Sequence, residues 1–174
     1  MGQLVQLSWD DCELAAWTGL RRSLSRLQNG TRDKYGAAGP GNGGFDMDVY
    51  GAVVEFAVAQ HFNLHWRGRV GVVRAIDVGG CIEAKSARRD GDCLLLHPES
   101  PDDLPFVLGV IRTLPVVELR GWILARDGKL DKFWQDPIGG RPAFFVPQAA
   151  LQPMANLGVY LRSVLGRFRE EAAS

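Results

Sequence analysis

The sequence predicts a single α/β domain in which a mixed central β-sheet is flanked by helices. Three observations carry that prediction. Apolar residues recur at helical spacing over residues 10–29 and about 47–61 and again after 153; β-rich runs bounded by turn residues fill the stretch between 70 and 125; and no repeat or linker divides the chain. A chain of 174 residues suits one domain and is long enough to bury a substantial core.

The first helix is expected over residues 10–29. Leu14, Trp17, Leu20, Leu24 and Leu27 recur at helical spacing, Asp10 or Asp11 can cap its start, and Arg21, Arg22 and Arg26 occupy its other side. Residues 36–44, GAAGPGNGG, are dominated by glycine and are expected as a flexible loop. A second helix is expected at about 47–61, with Asp46 or Asp48 as N-cap and Val49, Ala52, Val53, Phe56 and Ala59 as its apolar stripe. Strands are expected near 70–77, 81–87, 92–97, 105–111 and 117–125. Arg89-Asp90-Gly91-Asp92 and Arg126-Asp127-Gly128-Lys129 are expected as turns, because Asp-Gly tolerates positive φ. Pro98 to Pro105 is a loop carrying Glu99, Asp102 and Asp103, and 130–143 is irregular around Pro137, Gly139-Gly140 and Pro142. Phe144-Phe145-Val146 is expected as a short buried strand ended by Pro147. A closing helix over about 153–171 would turn Leu157, Leu161, Val164, Leu165 and Phe168 inward.

Charge and cysteine usage narrow the function classes. Twenty Lys and Arg balance twenty Asp and Glu, so a nucleic-acid partner would have to be met by local rather than global positive charge. Cys12, Cys81 and Cys93 are odd in number and form no CxxC pair, which argues against a disulfide framework or a zinc site and fits a reducing cytosol. The opening MGQLVQLSWDD has neither the basic nor the apolar region expected of a signal peptide, and no apolar run approaches the roughly 20 residues of a membrane-spanning helix.

The chemistry concentrates in residues 71–89, GVVRAIDVGGCIEAKSARR. A β-rich run delivers Asp77, turns through Gly79-Gly80 and re-enters a strand with Glu83-Ala84-Lys85. Side chains alternate faces along a strand, so Glu83 and Lys85 point the same way. Carboxylate oxygens suit Mg²⁺ or Mn²⁺, which would polarise a scissile phosphate and acidify a bound water, while Lys85 positions that water or stabilises developing charge. Glu55, on the second helix, could add a third carboxylate. The alternative is that Glu83 and Lys85 form a surface pair on a solvated sheet face, and that Glu55 faces solvent on the polar edge of its helix.

Register provides a geometric test. A strict two-residue hairpin at Gly79-Gly80 would pair Asp77 with Ile82 and Ile76 with Glu83, leaving the two acids on opposite faces. An odd loop or a glycine bulge returns them to one side. The expectation is that the Asp77 and Glu83 carboxylates lie within reach of one metal ion.

Asp77 followed by Glu83-Ala84-Lys85 resembles the PD-(D/E)XK nuclease signature, and Gly51-Ala-Val-Val-Glu55 is similar to the GxxxE helix that precedes it in several branches of that superfamily. The order of helix, first acid and ExK strand also matches, over about residues 48–125. The resemblance implies a restriction endonuclease-like α/β fold spanning 1–174 and metal-dependent hydrolysis of DNA phosphodiesters. It casts Asp77, Glu83 and Glu55 as metal ligands to Mg²⁺ or Mn²⁺, and Lys85 as the residue that assists the nucleophilic water. It further implies DNA as partner, a homodimer by analogy with relatives, and the cytoplasm of a bacterial or phage-infected host cell. Gly140-Arg-Pro-Ala-Phe-Phe-Val-Pro147 adds the look of a small phage or prophage protein. Ile76 stands where a proline often precedes the first acid, and Gln148 and Tyr160 lack the Gln-x-x-x-Tyr spacing of the RecB-like branch. The alternative function is a non-catalytic nucleic-acid-binding or phage assembly protein on a nuclease-like fold.

Other candidates are weaker. His61 and His65 stand four apart, but Asn63 and Gly68 suggest that the helix ends there, making His61 a C-terminal helix residue rather than a ligand. Arg21, Arg22, Arg26, Arg32 and Lys34, with Arg67, Arg69, Arg74, Arg88 and Arg89 around the acid motif, could contact phosphates or form an ordinary solvated face. Trp66 and Trp134 are the better candidates for stacking on a base.

Overall fold

The computed structural model describes residues 2–30, 44–71, 76–137 and 139–171, with the backbone alone over 165–171. In chain order the elements are β1 (Gln3–Gln6), α1 (Trp9–Gln28), α2 (Gly44–Phe62), β2 (Glu83–Ala87), β3 (Leu94–Leu96), β4 (Pro105–Thr113), β5 (Val116–Leu124), α3 (Ala125–Gly128), β6 (Trp134–Gln135), β7 (Ala143–Val146) and α4 (Met154–Glu171).

Helix α1 begins at Trp9, and its cap lies two to three residues before the expected Asp10 or Asp11. Ser8 is the N-cap: its hydroxyl accepts the Asp11 amide at 3.0 Å, and the Asp11 carboxylate accepts the Ser8 amide at 3.3 Å, a reciprocal capping box. The faces of α1 are reversed from expectation. Cys12, Ala15, Thr18, Gly19 and Ser23 are buried against α2, while Leu14, Trp17, Leu24 and Leu27 are exposed. Close approach explains the reversal. A Cβ on Gly19 would lie 2.5 Å from the Val49 Cα, so the two backbones nearly touch and only small residues fit between them. Arg22 and Arg26 reach across this seam to Glu55 and Asp48.

Helix α2 is apolar nearly all round, as a helix covered on both sides must be. Ala52, Val53, Val54, Ala57, Val58 and Ala59 are all buried between α1 and the sheet. The expected stripe of Val49, Ala52, Val53, Phe56 and Ala59 is thus one part of a wider buried surface. Asp46 lies in its first turn rather than before it, and Asp48 accepts hydrogen bonds from Ser23 and Arg26. The helix ends at Phe62, where Asn63 adopts a left-handed φ of 51°.

The main sheet has strand order β1-β5-β4-β2; β2 runs parallel to β4, and the other pairings are antiparallel, so the mixed sheet is as expected. β4 is covered on both faces, which is why its sequence PFVLGVI is a continuous apolar run. Val107 joins a core shared with α2, Val117, Leu119 and Leu157. Phe106, Leu108 and Val110 face a second core with Leu94, Leu96 and Val146, contributed by the small antiparallel sheet β3-β7-β6. Gly109 lets α2 approach, since a Cβ there would meet Val54 Cγ1 at 2.5 Å.

Several expectations are corrected. Residues 72–75 of the strand expected at 70–77 lie outside the described residues, and Val70, Gly71, Ile76 and Asp77 belong to no strand. Val78 makes single antiparallel bridges to Trp66 and Ile82. Residues 126–129 are not a β-turn: Ala125–Gly128 form one helical turn, and the Lys129 amide donates to the Ala125 carbonyl. β1 has no counterpart in the sequence reading. Phe144 and Phe145 are half-buried rather than buried. Leu157 and Leu161 are buried as expected, whereas the Leu165 and Phe168 side chains, and residues 36–43 of the glycine-rich stretch, lie outside the described residues. No described helix is long and apolar enough to cross a membrane.

Candidate active site

A loop of odd length brings the two acids together. The Val78 amide donates to the Ile82 carbonyl at 3.0 Å and the Ile82 amide returns to Val78 at 3.1 Å, leaving Gly79, Gly80 and Cys81 as a three-residue loop. Gly79 and Gly80 both have positive φ, 59° and 71°, a path that side-chain-bearing residues rarely take. With Val78 opposite Ile82, the next position back sets Asp77 opposite Glu83, on one side of the chain.

The contacts follow from that placement. The Asp77 carboxylate accepts the Ala84 amide at 3.1 Å, and Glu83 is its nearest electrostatic neighbour. Lys85 Nζ donates to Glu83 Oε2 at 3.2 Å and sits 5.6 Å from the centroid of the Phe106 ring. Ala84, between them, turns to the opposite face and is buried in the core beneath α2. Burial first, and then the neighbouring Glu83, push the Asp77 carboxyl up to about 7. Burial pulls the Lys85 ammonium down, but Glu83 and Asp77 outweigh it and raise its pKa. The cluster therefore holds two crowded carboxyls against a single firmly charged ammonium.

Glu55 is nearby but differently engaged. It is 4 % exposed, and Arg22 grips both of its oxygens, Nη1 to Oε1 at 2.6 Å and Nη2 to Oε2 at 2.8 Å. Trp66 Nε1 donates to the same Oε2 at 3.0 Å, and Arg22 Nε is anchored on the Arg69 carbonyl. Glu55 is thus neither solvent-facing nor open to a metal ion; it is the buried acid of a bidentate pair. Its field still reaches Lys85, and that of Asp77 reaches Arg22. Among the described residues, no three His, Cys, Asp or Glu side chains are grouped to hold a metal ion. Arg22 and Trp66 were not foreseen as partners of Glu55. The usable signal was the acid itself, because a carboxylate in GAVVEFAVA needs a buried partner, and Arg22 lies on the preceding helix.

The remaining candidates separate from the cluster. Gln148 donates to the carbonyls of Asp90 and Asp92, and the Tyr160 hydroxyl donates to the Asp103 carbonyl, so neither joins the acids. Trp66 packs edge-on against Phe56, while Trp134 is exposed beside Phe144. His61 ends α2, and burial lowers its pKa. Arg67, Arg69, Arg88 and Arg89 are exposed; Arg32, Lys34 and Arg74 lie outside the described residues. Asp102 and Asp103 of the acidic loop pair with Lys129 and Arg126. A shallow depression of about 460 Å³ lined by Leu4, Arg112, Val116 and Glu118 lies at the opposite edge of the sheet, away from the acid pair. Comparison of the chain with protein-family models, with curated proteins and with solved structures finds no match.

Proposed function

We propose that this protein is a metal-dependent nuclease that hydrolyses DNA phosphodiester bonds, as its resemblance to the PD-(D/E)XK superfamily implies. One observation carries the reading: the odd-length Gly79–Cys81 loop sets the Asp77 carboxyl against Glu83, with Lys85 on the same strand face. Asp77 and Glu83 offer hard oxygen donors, and the crowding that raises Asp77 is what a divalent cation would relieve. These two residues would hold Mg²⁺ or Mn²⁺, which when bound would supply Lewis-acid polarisation of the phosphodiester. Lys85 orients the attacking water or donates to a phosphate oxygen, its charge secured by the two acids. Glu55 supports the site from α2 by fixing Arg22 and Trp66 beside it. Arg67, Arg69, Arg88 and Arg89 give exposed positive charge for the DNA backbone.

The test is cleavage of plasmid and single-stranded DNA with Mg²⁺ or Mn²⁺, comparing wild type with Asp77→Ala and Lys85→Ala. Metal-dependent cutting by wild type that both variants lose is the expected result. A folded wild type that leaves linear, circular and branched DNA intact would overturn the proposal. That outcome would favour a non-catalytic nucleic-acid-binding or phage assembly protein. The observation on that side is the engagement of Glu55 by Arg22, which leaves two acids rather than three at the cluster.

A further inference from the structure

Trp17, Leu20, Leu24 and Leu27 follow one another along α1 at intervals of three, four and three residues, the seam spacing of a helix that packs on another helix. Trp17, Leu24 and Leu27 of that seam face away from the molecule, and Leu20 is half-buried. The seam lies opposite the small residues that pack on α2, and Trp17 is 57 %, Leu24 43 % and Leu27 46 % exposed, with Trp9 at 66 % at one end. An exposed apolar stripe of this length with two tryptophans marks an interaction surface.

The charges on the same face say what covers it. Exposed Glu13 lies on the N-terminal side of Trp17, and exposed Arg21 lies the same four residues to its C-terminal side. When two copies of α1 lie antiparallel about a two-fold axis at Trp17, Glu13 of each meets Arg21 of the other. In the same register Trp9 of each falls over the Leu24–Leu27 end of the other. Parallel pairing would instead set Glu13 against Glu13 and Arg21 against Arg21. A patch that complements itself under a two-fold is an isologous interface. We propose that the outer face of α1 is a homodimer interface, occupied by the same face of a second copy running antiparallel. The inner face, with Arg22 and Arg26 on Glu55 and Asp48, is left untouched, so the proposal does not depend on the nuclease reading.

Sedimentation equilibrium of the full chain, over a series from low to high micromolar, tests it. Wild type is expected to dimerise. Trp17→Glu and Leu24→Glu are each expected to weaken dimerisation by about 30-fold or more, the effect of losing a buried hot-spot side chain. Because both residues are solvent-exposed, their circular dichroism, and their thermal midpoints at concentrations low enough for wild type to be monomeric, are expected to match wild type, which separates lost association from lost folding. Glu13→Arg and Arg21→Glu are each expected to weaken the dimer, and the two together to restore it. A foreign protein or lipid partner would not respond to that exchange in this way. A wild type monomeric throughout, a dimer indifferent to Trp17→Glu, or a double exchange that fails to recover would each overturn the proposal.

Discussion

Replacing Asp77 with Asn removes one charge from the crowded pair yet keeps an oxygen to accept the Ala84 amide. In the metal-free protein, burial and then Glu83 raise Asp77 from 3.8 to about 7. An acid whose folded-state pKa is raised holds its proton longer in the native state than in the unfolded chain. It therefore costs no stability at pH values below 3.8, costs progressively more as pH rises, and costs a constant amount above about 7. The interval from 3.8 to about 7 is about three pH units, which at about 1.36 kcal/mol each caps the cost near 4 kcal/mol. Asp77 is only half-buried, so solvent screening leaves about half of that, near 2 kcal/mol. Asp77→Asn is thus expected to be more stable than wild type by about 2 kcal/mol at pH 8 and by less than about 1 kcal/mol at pH 5. Urea unfolding followed by tryptophan fluorescence, in a chelating buffer at the two pH values, reads this difference directly. Added Mg²⁺ is expected to shift the wild-type midpoint upward at pH 8 and to leave the variant nearly unmoved. An Asn variant no more stable than wild type at pH 8, or a gain that does not grow between pH 5 and pH 8, would refute the account of the pair.

Two further perturbations probe the frame around the site. Arg22→Ala strands Glu55, 4 % exposed, with only Trp66 as partner, and is expected to cost about 3–5 kcal/mol in urea unfolding. Arg22→Met with Glu55→Leu, which removes both charges, is expected to cost far less. Gly109→Ala places a methyl group 2.5 Å from Val54 Cγ1 and is expected to destabilise by about 1–3 kcal/mol, much of it recovered when Val54→Ala opens the space, as thermal melts of the three proteins would show.

Much of the frame was legible because burial writes itself into local pattern. The apolar runs placed β4 and β5 close to where they lie, and the stripe on α2 marked part of the surface it buries, although that surface extends over nearly the whole helix. The acid motif was legible too, since Glu83 and Lys85 share a face by strand alternation alone. What could not be read were outcomes decided by contacts distant in sequence. Helix α1 shows the limit most clearly. Its leucine stripe had the right period for a core face, but the Gly19–Val49 approach and the Arg22–Glu55 pair, made across 33 residues, turned that stripe outward. Periodicity marks where a helix is two-sided without saying which side wins. The same holds for the loop between the acids. Two adjacent glycines permit a two-residue or a three-residue turn, and hydrogen bonding between Val78 and Ile82 selects the longer one.

That choice has an evolutionary corollary. Substitutions along residues 77–85 can be sampled one at a time, but a change in the number of residues between Val78 and Ile82 cannot. Losing or gaining one residue there would leave Asp77, Glu83 and Lys85 intact and still rotate Asp77 away from Glu83, whereas adding two would carry it back. In descendants of this chain, the stretch should therefore resist replacement at the two left-handed glycines and vary in length only by even steps.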